Sequence, residues 1–90
     1  MVVEAVLLAN KEIIYTHVNR DTLNVEDLPD LDDDSIFIAT HQYGFPCKIE
    51  EICSVCKDKG AIVIEDCAGA LGTRINGRLA GTFGDFAIFS

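Results

Sequence analysis

Three polar residues follow apolar runs, and their positions are the best suited in this sequence to bind a small molecule. Asp66 ends the segment AIVIED, His41 follows SIFIAT, and Ser90 follows FAIF. In open α/β sheets, ligands bind beyond the carboxyl ends of the strands, where such side chains would meet. A lone acid just past a strand is more often a turn or cap residue, and a histidine there is more often structural. The pattern therefore indicates a candidate ligand site rather than a defined chemistry.

A strand–helix–strand unit would position these residues. The apolar runs at residues 35–40 and 61–66 are typical of strands covered on both faces. Between them, apolar residues recur at helical spacing from Ile49 to Cys56, and Gly60 is suited to end that helix. We therefore predict an α/β fold in which the two strands are parallel and the crossover is right-handed.

Further elements are predicted on either side of this unit. The segment EIIYTHV is rich in β-branched and aromatic residues, which favours a strand. Asn76-Gly77 suits a type I′ turn and predicts a small β-hairpin. The first helix has no capping residue before it, and the last strand has no helix after it, so we expect a partial domain truncated at both ends. The predicted segments are a helix at 2–9, strands at 12–18 and 86–90, a hairpin at 73–80, and the partial domain at 1–90.

Composition excludes several classes of partner. The formal net charge is −8, with 15 acidic and 7 basic residues, so neither nucleic acid nor an anionic membrane surface is an expected partner. No apolar run approaches the roughly 20 residues that a membrane span requires. Four cysteines without secretory context indicate free thiols in a reducing cytoplasm.

Metal and phosphate motifs are weak in this sequence. Cys53 and Cys56 have the internal spacing of a zinc site, which Cys47 and Cys67 could complete, but both lie on the apolar face of the predicted helix, where thiols behave as small apolar groups. The acids between Asp30 and Asp34 lack the glycine and distal glutamate of a calcium loop. No P-loop or dinucleotide-binding glycine pattern is present. We therefore expect no metal.

Three ordered blocks carry a resemblance to a known family. They are THQYGFP at residues 40–46, VIEDCAGALG at 63–72 and GRLAGTFGD at 77–85, followed by IFS at 88–90, with a looser match at DTLN in 21–24. Their order and spacing resemble the DegT/DnrJ/EryC1/StrS aminotransferases, which use pyridoxal 5′-phosphate. This resemblance implies that the chain is a βαβ segment from the large domain of a fold type I (aspartate aminotransferase-like) enzyme.

The resemblance also implies roles for individual residues. Asp66 matches the acid that pairs with the pyridine nitrogen of the cofactor, and a nearby carboxylate favours the protonated ring. Ser90 matches the serine whose hydroxyl binds the cofactor phosphate. His41 lies in a motif near the site and is a possible third cofactor-binding residue. Gly69 departs from the pattern, because the family usually has Gln or His there to contact the phenolic oxygen of the ring.

No catalytic residue is expected within these ninety residues, since the family's Schiff-base lysine comes five positions after the serine. For the intact enzyme, the resemblance implies transfer of an amino group from an amino acid, glutamate or glutamine, to a keto sugar that is commonly nucleotide-linked. It also implies a cytoplasmic homodimer. Two alternatives stay open: a dehydratase relative, and a non-catalytic relic or interaction module that keeps the fold without the lysine.

Overall fold

A three-stranded parallel sheet is the centre of the molecule, which a computed structural model describes from residue 2 to residue 90. The elements in chain order are α1 (Val2–Leu8), β1 (Ile36–Thr40), a 3₁₀ turn (Gln42–Gly44), α2 (Ile49–Lys59), β2 (Ile62–Asp66), β3 (Arg74–Ile75), β4 (Arg78–Leu79) and β5 (Phe86–Ile88). The strand order is β1–β2–β5, and β3 and β4 form a separate antiparallel pair.

The register of the sheet brings the carboxyl ends of its strands together. Thr40 at the end of β1 is paired with Asp66 at the end of β2, and Asp66 is paired with Ile88 at the end of β5. The backbone N–H of His41 donates to the Asp66 carbonyl at 3.1 Å, and that of Cys67 donates to the Ile88 carbonyl at 2.8 Å. The predicted parallel α/β arrangement is therefore confirmed.

Helix α2 covers one face of the sheet, where it packs against β1 and β2. Its buried residues are Ile49, Ile52 and Cys56, which lie at the spacing of one helical face. Gly60 ends the helix in the left-handed conformation (φ 76°), as predicted. The N–H of Gly60 donates to the Lys57 carbonyl, and the N–H of Ala61 donates to the Cys56 carbonyl, which is the Schellman pattern.

The predicted hairpin is also confirmed. Arg74 pairs with Leu79 and Ile75 with Arg78. Asn76 (φ 50°) and Gly77 (φ 84°) both have the positive φ that a type I′ turn requires. In the sequence, this hairpin lies between β2, which ends at Asp66, and β5, which precedes Ser90.

The strand predicted at residues 12–18 is wrong. That segment is irregular, and its only pairing among the described residues is an isolated bridge between Val18 and Val25. Ile14 and Tyr15 are largely exposed. β-Branched and aromatic residues favour a strand only where a neighbouring strand and a packed face are available, and this segment has neither.

Within residues 2–90, β1 and β2 are covered on one face only, although their apolar runs are typical of strands covered on both faces. Phe37, Ala39 and Val63 are buried beneath α2. Ile36 and Ile62, on the opposite face, are 47% and 40% exposed. The helix predicted at residues 2–9 is present, but α1 buries none of its residues, so it does not supply the missing cover.

No helix among residues 2–90 is long and apolar enough to cross a membrane.

Candidate functional site

Asp66 lies at the carboxyl end of the central strand, on the face of the sheet that α2 does not cover. It is half-buried. One carboxylate oxygen, Oδ1, accepts a hydrogen bond from the N–H of Ala68 at 3.1 Å, which is a local Asx-type turn. Within the part of the chain that the structure describes, Oδ2 accepts no hydrogen bond. Asp66 is therefore both a turn residue and a carboxylate with an oxygen available to a ligand.

Ser90 lies just beyond β5, the neighbour of β2. Ile88 is the register partner of Asp66, and Ser90 follows it by two residues at the same edge of the sheet. Ser90 is exposed. The fold thus brings Asp66 and Ser90, which are 24 positions apart in the sequence, to the ends of adjacent strands.

The loop after β1 forms the third side of this edge. Gly69 adjoins this loop, since a β-carbon added at Gly69 would lie 3.8 Å from the Tyr43 nitrogen and would meet no other described atom within 4 Å. The Thr73 hydroxyl donates to the Gly44 carbonyl at 3.1 Å, so the loops after β1 and β2 are tied together. Gly69 therefore leaves space at the edge where a side chain would fit.

His41 does not lie beside the Asp66 carboxylate, although both follow strands at this edge. The residue is 1% exposed, and its side chain lies under the sheet, on the side that α2 covers. The N–H of Cys47 donates to its Nδ1 at 3.2 Å. Because Nδ1 accepts that bond, the ring hydrogen is assigned to Nε2, which donates to Glu65 Oε2 at 3.0 Å. Both ring nitrogens of His41 are therefore bonded to protein groups.

Among the buried side chains that the structure describes, Glu65 makes the most hydrogen bonds, and the sequence analysis did not identify it. It is 0% exposed. Besides His41, its carboxylate accepts the N–H of Gly81 on Oε2 at 2.7 Å, and those of Phe83 and Gly84 on Oε1 at 2.6 Å each. Each oxygen thus accepts two hydrogen bonds, which is what a buried carboxylate needs to remain charged.

The environment of Glu65 also sets its ionisation. Burial by itself raises the pKa of the Glu65 carboxyl. The hydrogen bonds from Gly84, His41, Gly81 and Phe83 outweigh that effect, so the pKa lies below its ordinary value of 4.5. Glu65 is therefore a permanent anion in the core at neutral pH.

Two features of the sequence separate Glu65 from Asp66 once the covered face of β2 is known. Strand alternation places Glu65 on the same face as the buried Val63, opposite Asp66. A buried acid then requires several N–H donors, and the glycine-containing segment GTFG at residues 81–84 can supply backbone donors at close range. The sequence analysis considered Asp66 alone at the end of this strand and so missed this difference.

Asn24 is a second residue that sequence reasoning undervalued. It is buried, and its side-chain amide donates to the carbonyls of Phe45 and Pro46 at 3.3 and 3.1 Å. Its oxygen accepts the N–H of Gln42 at 3.3 Å. The DTLN segment, which carried only a loose resemblance, therefore fixes the loop after β1 from outside the sheet.

The chemistry of the thiols does not favour a metal site. Among the described residues, one group of possible ligands is close enough: His41, Glu65 and Cys67, whose ligand atoms lie within 4.8 Å of one another. The His41 and Glu65 atoms are already hydrogen-bonded to each other. Burial, followed by the charges of Glu65 and Asp66, raises the pKa of Cys67 to about 11, so this thiol stays protonated. Cys53 and Cys56 lie in α2 as free thiols, and burial raises their pKa values too.

Comparison with known proteins identifies the same family as the ordered motifs. A family model described as the DegT/DnrJ/EryC1/StrS aminotransferase family matches residues 2–90. GDP-perosamine synthase of Vibrio cholerae is 47% identical over 53 residues, which cover 59% of this chain and 14% of the synthase. EpsN of Bacillus subtilis (strain 168), provisionally named a pyridoxal phosphate-dependent aminotransferase, is 51% identical over 53 residues, with the same 59% and 14% coverage.

A solved structure shows the corresponding fold. The X-ray structure of the aminotransferase from Psychrobacter cryohalolentis matches with a TM-score of 0.87 and 25% identity, covering 98% of this chain and 23% of that one. The chain therefore spans well under a third of the length of these relatives. Its parallel sheet, helices and small antiparallel pair have the fold of the fold type I aminotransferases. The chain belongs to the DegT/DnrJ/EryC1/StrS aminotransferase family.

Proposed function

We propose that this chain supplies the pyridine-nitrogen and phosphate contacts of a pyridoxal 5′-phosphate site in a sugar aminotransferase. The observation that carries the proposal is the placement of Asp66. No group among residues 2–90 donates to its Oδ2, which lies at the carboxyl edge of the sheet, beside the strand that leads to Ser90. A carboxylate and a hydroxyl at one edge suit a ligand with a basic ring nitrogen at one end and a phosphate at the other.

The roles of the two residues follow from their chemistry. The Asp66 carboxylate would accept a hydrogen bond from the ring nitrogen and hold a proton there, because a nearby negative charge favours the protonated ring. The Ser90 hydroxyl would donate to a phosphate oxygen. When bound, the cofactor supplies an electron sink that stabilises negative charge on the substrate carbon.

The space beside Gly69 suggests that the cofactor ring would make fewer contacts with protein here than in a relative that has Gln or His at this position. A side chain would fit there without strain, since Gly69 does not have a positive φ and its added β-carbon meets only ordinary van der Waals contact. In this chain, a solvent molecule would occupy the position beside the phenolic oxygen of the ring. We propose that this difference loosens binding of the ring without abolishing it.

His41 has a supporting role in this proposal. Both of its ring nitrogens are bonded to protein groups, so a direct contact with the cofactor would require one of those bonds to break. We propose instead that His41 stabilises Glu65 and the loop after β1 beneath the site.

The wider activity belongs to the same proposal. GDP-perosamine synthase is named for an amino sugar, and a second solved relative, DesI, was determined with its TDP-sugar product. By this similarity, we propose an amino acid, glutamate or glutamine, as the donor and a nucleotide-linked keto sugar as the acceptor. A homodimer in the cytoplasm is part of the same proposal.

Pyridoxamine 5′-phosphate is the suitable probe, because it has the ring nitrogen and phosphate but no aldehyde to react with surface lysines. Binding to the purified chain would be followed by nuclear magnetic resonance. We expect the amide signals of Asp66 and Ser90 to shift, and Asp66→Asn to raise the Kd by about 10-fold, which corresponds to one lost charge-assisted hydrogen bond.

Asp58→Asn is the matched control, because Asp58 is an exposed acid on α2. It should leave the Kd unchanged. The proposal is wrong if the unaltered chain shows no shifts at Asp66 and Ser90, or if Asp66→Asn and Asp58→Asn bind equally well.

A further inference from the structure

We propose that Glu65 is a positioning residue that holds residues 81–84 against β2 and thereby sets Ser90 for the phosphate of the cofactor. Residues 81–84, GTFG, are called the glycine loop below. This inference rests on the proposed function, because it explains how the two halves of that site keep their spacing. Glu65 itself faces away from Asp66 and does not touch the ligand.

The first step is the contact between Glu65 and the glycine loop. Three of the four backbone N–H groups in the loop, those of Gly81, Phe83 and Gly84, donate to this one carboxylate. Hydrogen bonds to a charged, buried acceptor are short and strong, and an unmade one leaves a buried donor unpaired. Glu65, a single side chain on β2, therefore accepts most of the backbone donors of the loop, while Arg78 contacts the loop through the Thr82 carbonyl and the Phe83 ring.

The second step connects the loop to Ser90. A β-carbon added at Gly81 would clash with Phe89 Cζ, so the Phe89 ring packs directly on the Gly81 backbone. Phe89 is the residue immediately before Ser90. Gly81 therefore connects Glu65 to the segment that precedes Ser90. Its N–H donates to the Glu65 carboxylate, and the ring of Phe89 packs on its backbone.

The third step is the close approach of the loop to β2. At Gly84, an added β-carbon would lie 3.0 Å from the Val63 carbonyl oxygen and 3.3 Å from Glu65 Cγ. Asp85, the next residue, accepts the Val63 N–H on Oδ2 at 2.8 Å and donates its own N–H to the Val63 carbonyl at 2.9 Å. Asp85 fixes the start of β5, whereas Glu65 fixes the loop and the Phe89 ring near its end.

Glutamine cannot replace Glu65 in this role. Each carboxylate oxygen accepts two N–H groups: Oε1 those of Phe83 and Gly84, Oε2 those of Gly81 and His41. An amide has one oxygen, so its NH₂ group would face two donors whichever way it is turned. Glu65→Gln therefore releases one pair of contacts while it keeps the size of the side chain.

The test compares two ligands that differ only in the phosphate, pyridoxamine 5′-phosphate and pyridoxamine. In the unaltered chain the phosphate should strengthen binding. The phosphate preference is the ratio of the two Kd values. We expect Glu65→Gln to reduce this ratio by about fivefold, which corresponds to the loss of one hydrogen bond. The Kd for pyridoxamine should change by less than about twofold, because Asp66 keeps its place. A general loss of stability would weaken both ligands equally.

Phe89→Ala is a second variant that does not depend on Glu65, and it keeps the buried carboxylate intact. It removes the ring from Gly81 and should also lower the phosphate preference. Phe86→Ala is the matched control, since Phe86 is an exposed phenylalanine at the other end of β5. It should leave the preference unchanged.

The outcomes separate this inference from the proposed function. If Ser90→Ala leaves the phosphate preference intact, the proposed phosphate site is wrong. If Ser90→Ala lowers the preference but Glu65→Gln and Phe89→Ala do not, Glu65 is not a positioning residue. Amide exchange gives a readout without ligand: the N–H groups of Gly81, Phe83 and Gly84 should be protected in the unaltered chain, and fast exchange at all three would overturn the inference.

Discussion

Two adjacent acids in β2 have opposite environments, and this difference organises the candidate site. Glu65 points into the core and accepts four hydrogen bonds from protein groups. Asp66 points to the uncovered face and, among residues 2–90, accepts one hydrogen bond, from Ala68. Successive residues of a strand face opposite sides of the sheet. Glu65 is therefore held by protein groups in the core, whereas the adjacent Asp66 is available to a ligand.

The ionisation of Glu65 makes stability depend on pH in a definite direction. Its pKa in the folded chain lies below 4.5, its ordinary value. The unfolded chain therefore binds the proton more readily, and the stabilisation is fully present above about pH 4.5 and is lost as pH falls through the folded pKa. We expect Glu65→Gln to lower the free energy of unfolding by about 2 kcal/mol at pH 7.

Urea unfolding from pH 7 down to pH 3 would measure this dependence. The gap between the unaltered chain and Glu65→Gln should narrow below pH 4.5. Glu51→Gln, at an exposed position of α2, should track the unaltered chain throughout. A gap that stayed constant down to pH 3 would show that Glu65 does not titrate as inferred.

At the scale of elements, the site depends on how helices and loops end. Helix α2 stops at Gly60, whose left-handed conformation turns the chain into β2. An added β-carbon there would also lie 3.2 Å from Asp33 Cβ. Asn24 and Thr73 fix the loop after β1 from two other segments. These connections fix the positions of the polar residues at the ends of the strands.

Two glycine substitutions distinguish backbone strain from loss of space. Gly60→Ala should lower the free energy of unfolding by about 1 kcal/mol or more, because the left-handed conformation is unfavourable for alanine and because Asp33 must move. Gly69→Ala is the matched control, since its φ is not positive and its surroundings are open. It should be neutral or stabilise the chain by up to about 1 kcal/mol. Equal losses in thermal or urea unfolding would contradict this assignment.

For the whole molecule, the main feature is a parallel sheet covered on one face only. Helix α2 buries the side that carries Phe37, Ala39 and Val63. The other side keeps exposed apolar residues on all three strands: Ile36, Ile62, Phe86 and Ile88. Parallel sheets in folded proteins are normally covered on both faces. Asp66 lies at the edge of this open face, so its surroundings are set by the sheet and not by a closed pocket.

Substitutions at two neighbouring positions of β2 would show this asymmetry. Val63 is 2% exposed and Ile62 is 40% exposed. Val63→Thr should cost about 2 kcal/mol of unfolding free energy, because it buries a hydroxyl without a partner. Ile62→Thr removes more apolar volume but leaves its hydroxyl in water, so it should cost under about 1 kcal/mol. If urea unfolding gave the reverse order, the face carrying Ile62 would have to be the covered one.

Local sequence determined the elements whose stability comes from nearby residues. The spacing of apolar residues specified α2, Gly60 specified its end, and Asn76-Gly77 specified the hairpin turn, because helical periodicity and positive φ are local requirements. The same reasoning failed at residues 12–18, where strand formation depended on a partner that the fold does not provide. The ordered motifs around Asp66 were enough to predict the family, since they record spacing along the chain.

Only the tertiary structure decided which polar residues lie together. Asp66 and Ser90 meet one edge because β5 pairs with β2, a pairing across the intervening hairpin. His41, which the sequence grouped with them, lies on the other side of the sheet in contact with Glu65. Strand alternation could be read from the sequence, but which face α2 covers could not, because that depends on packing between distant segments. Because α2 covers the face that carries Glu65, Glu65 is a buried anion and Asp66 is open to a ligand.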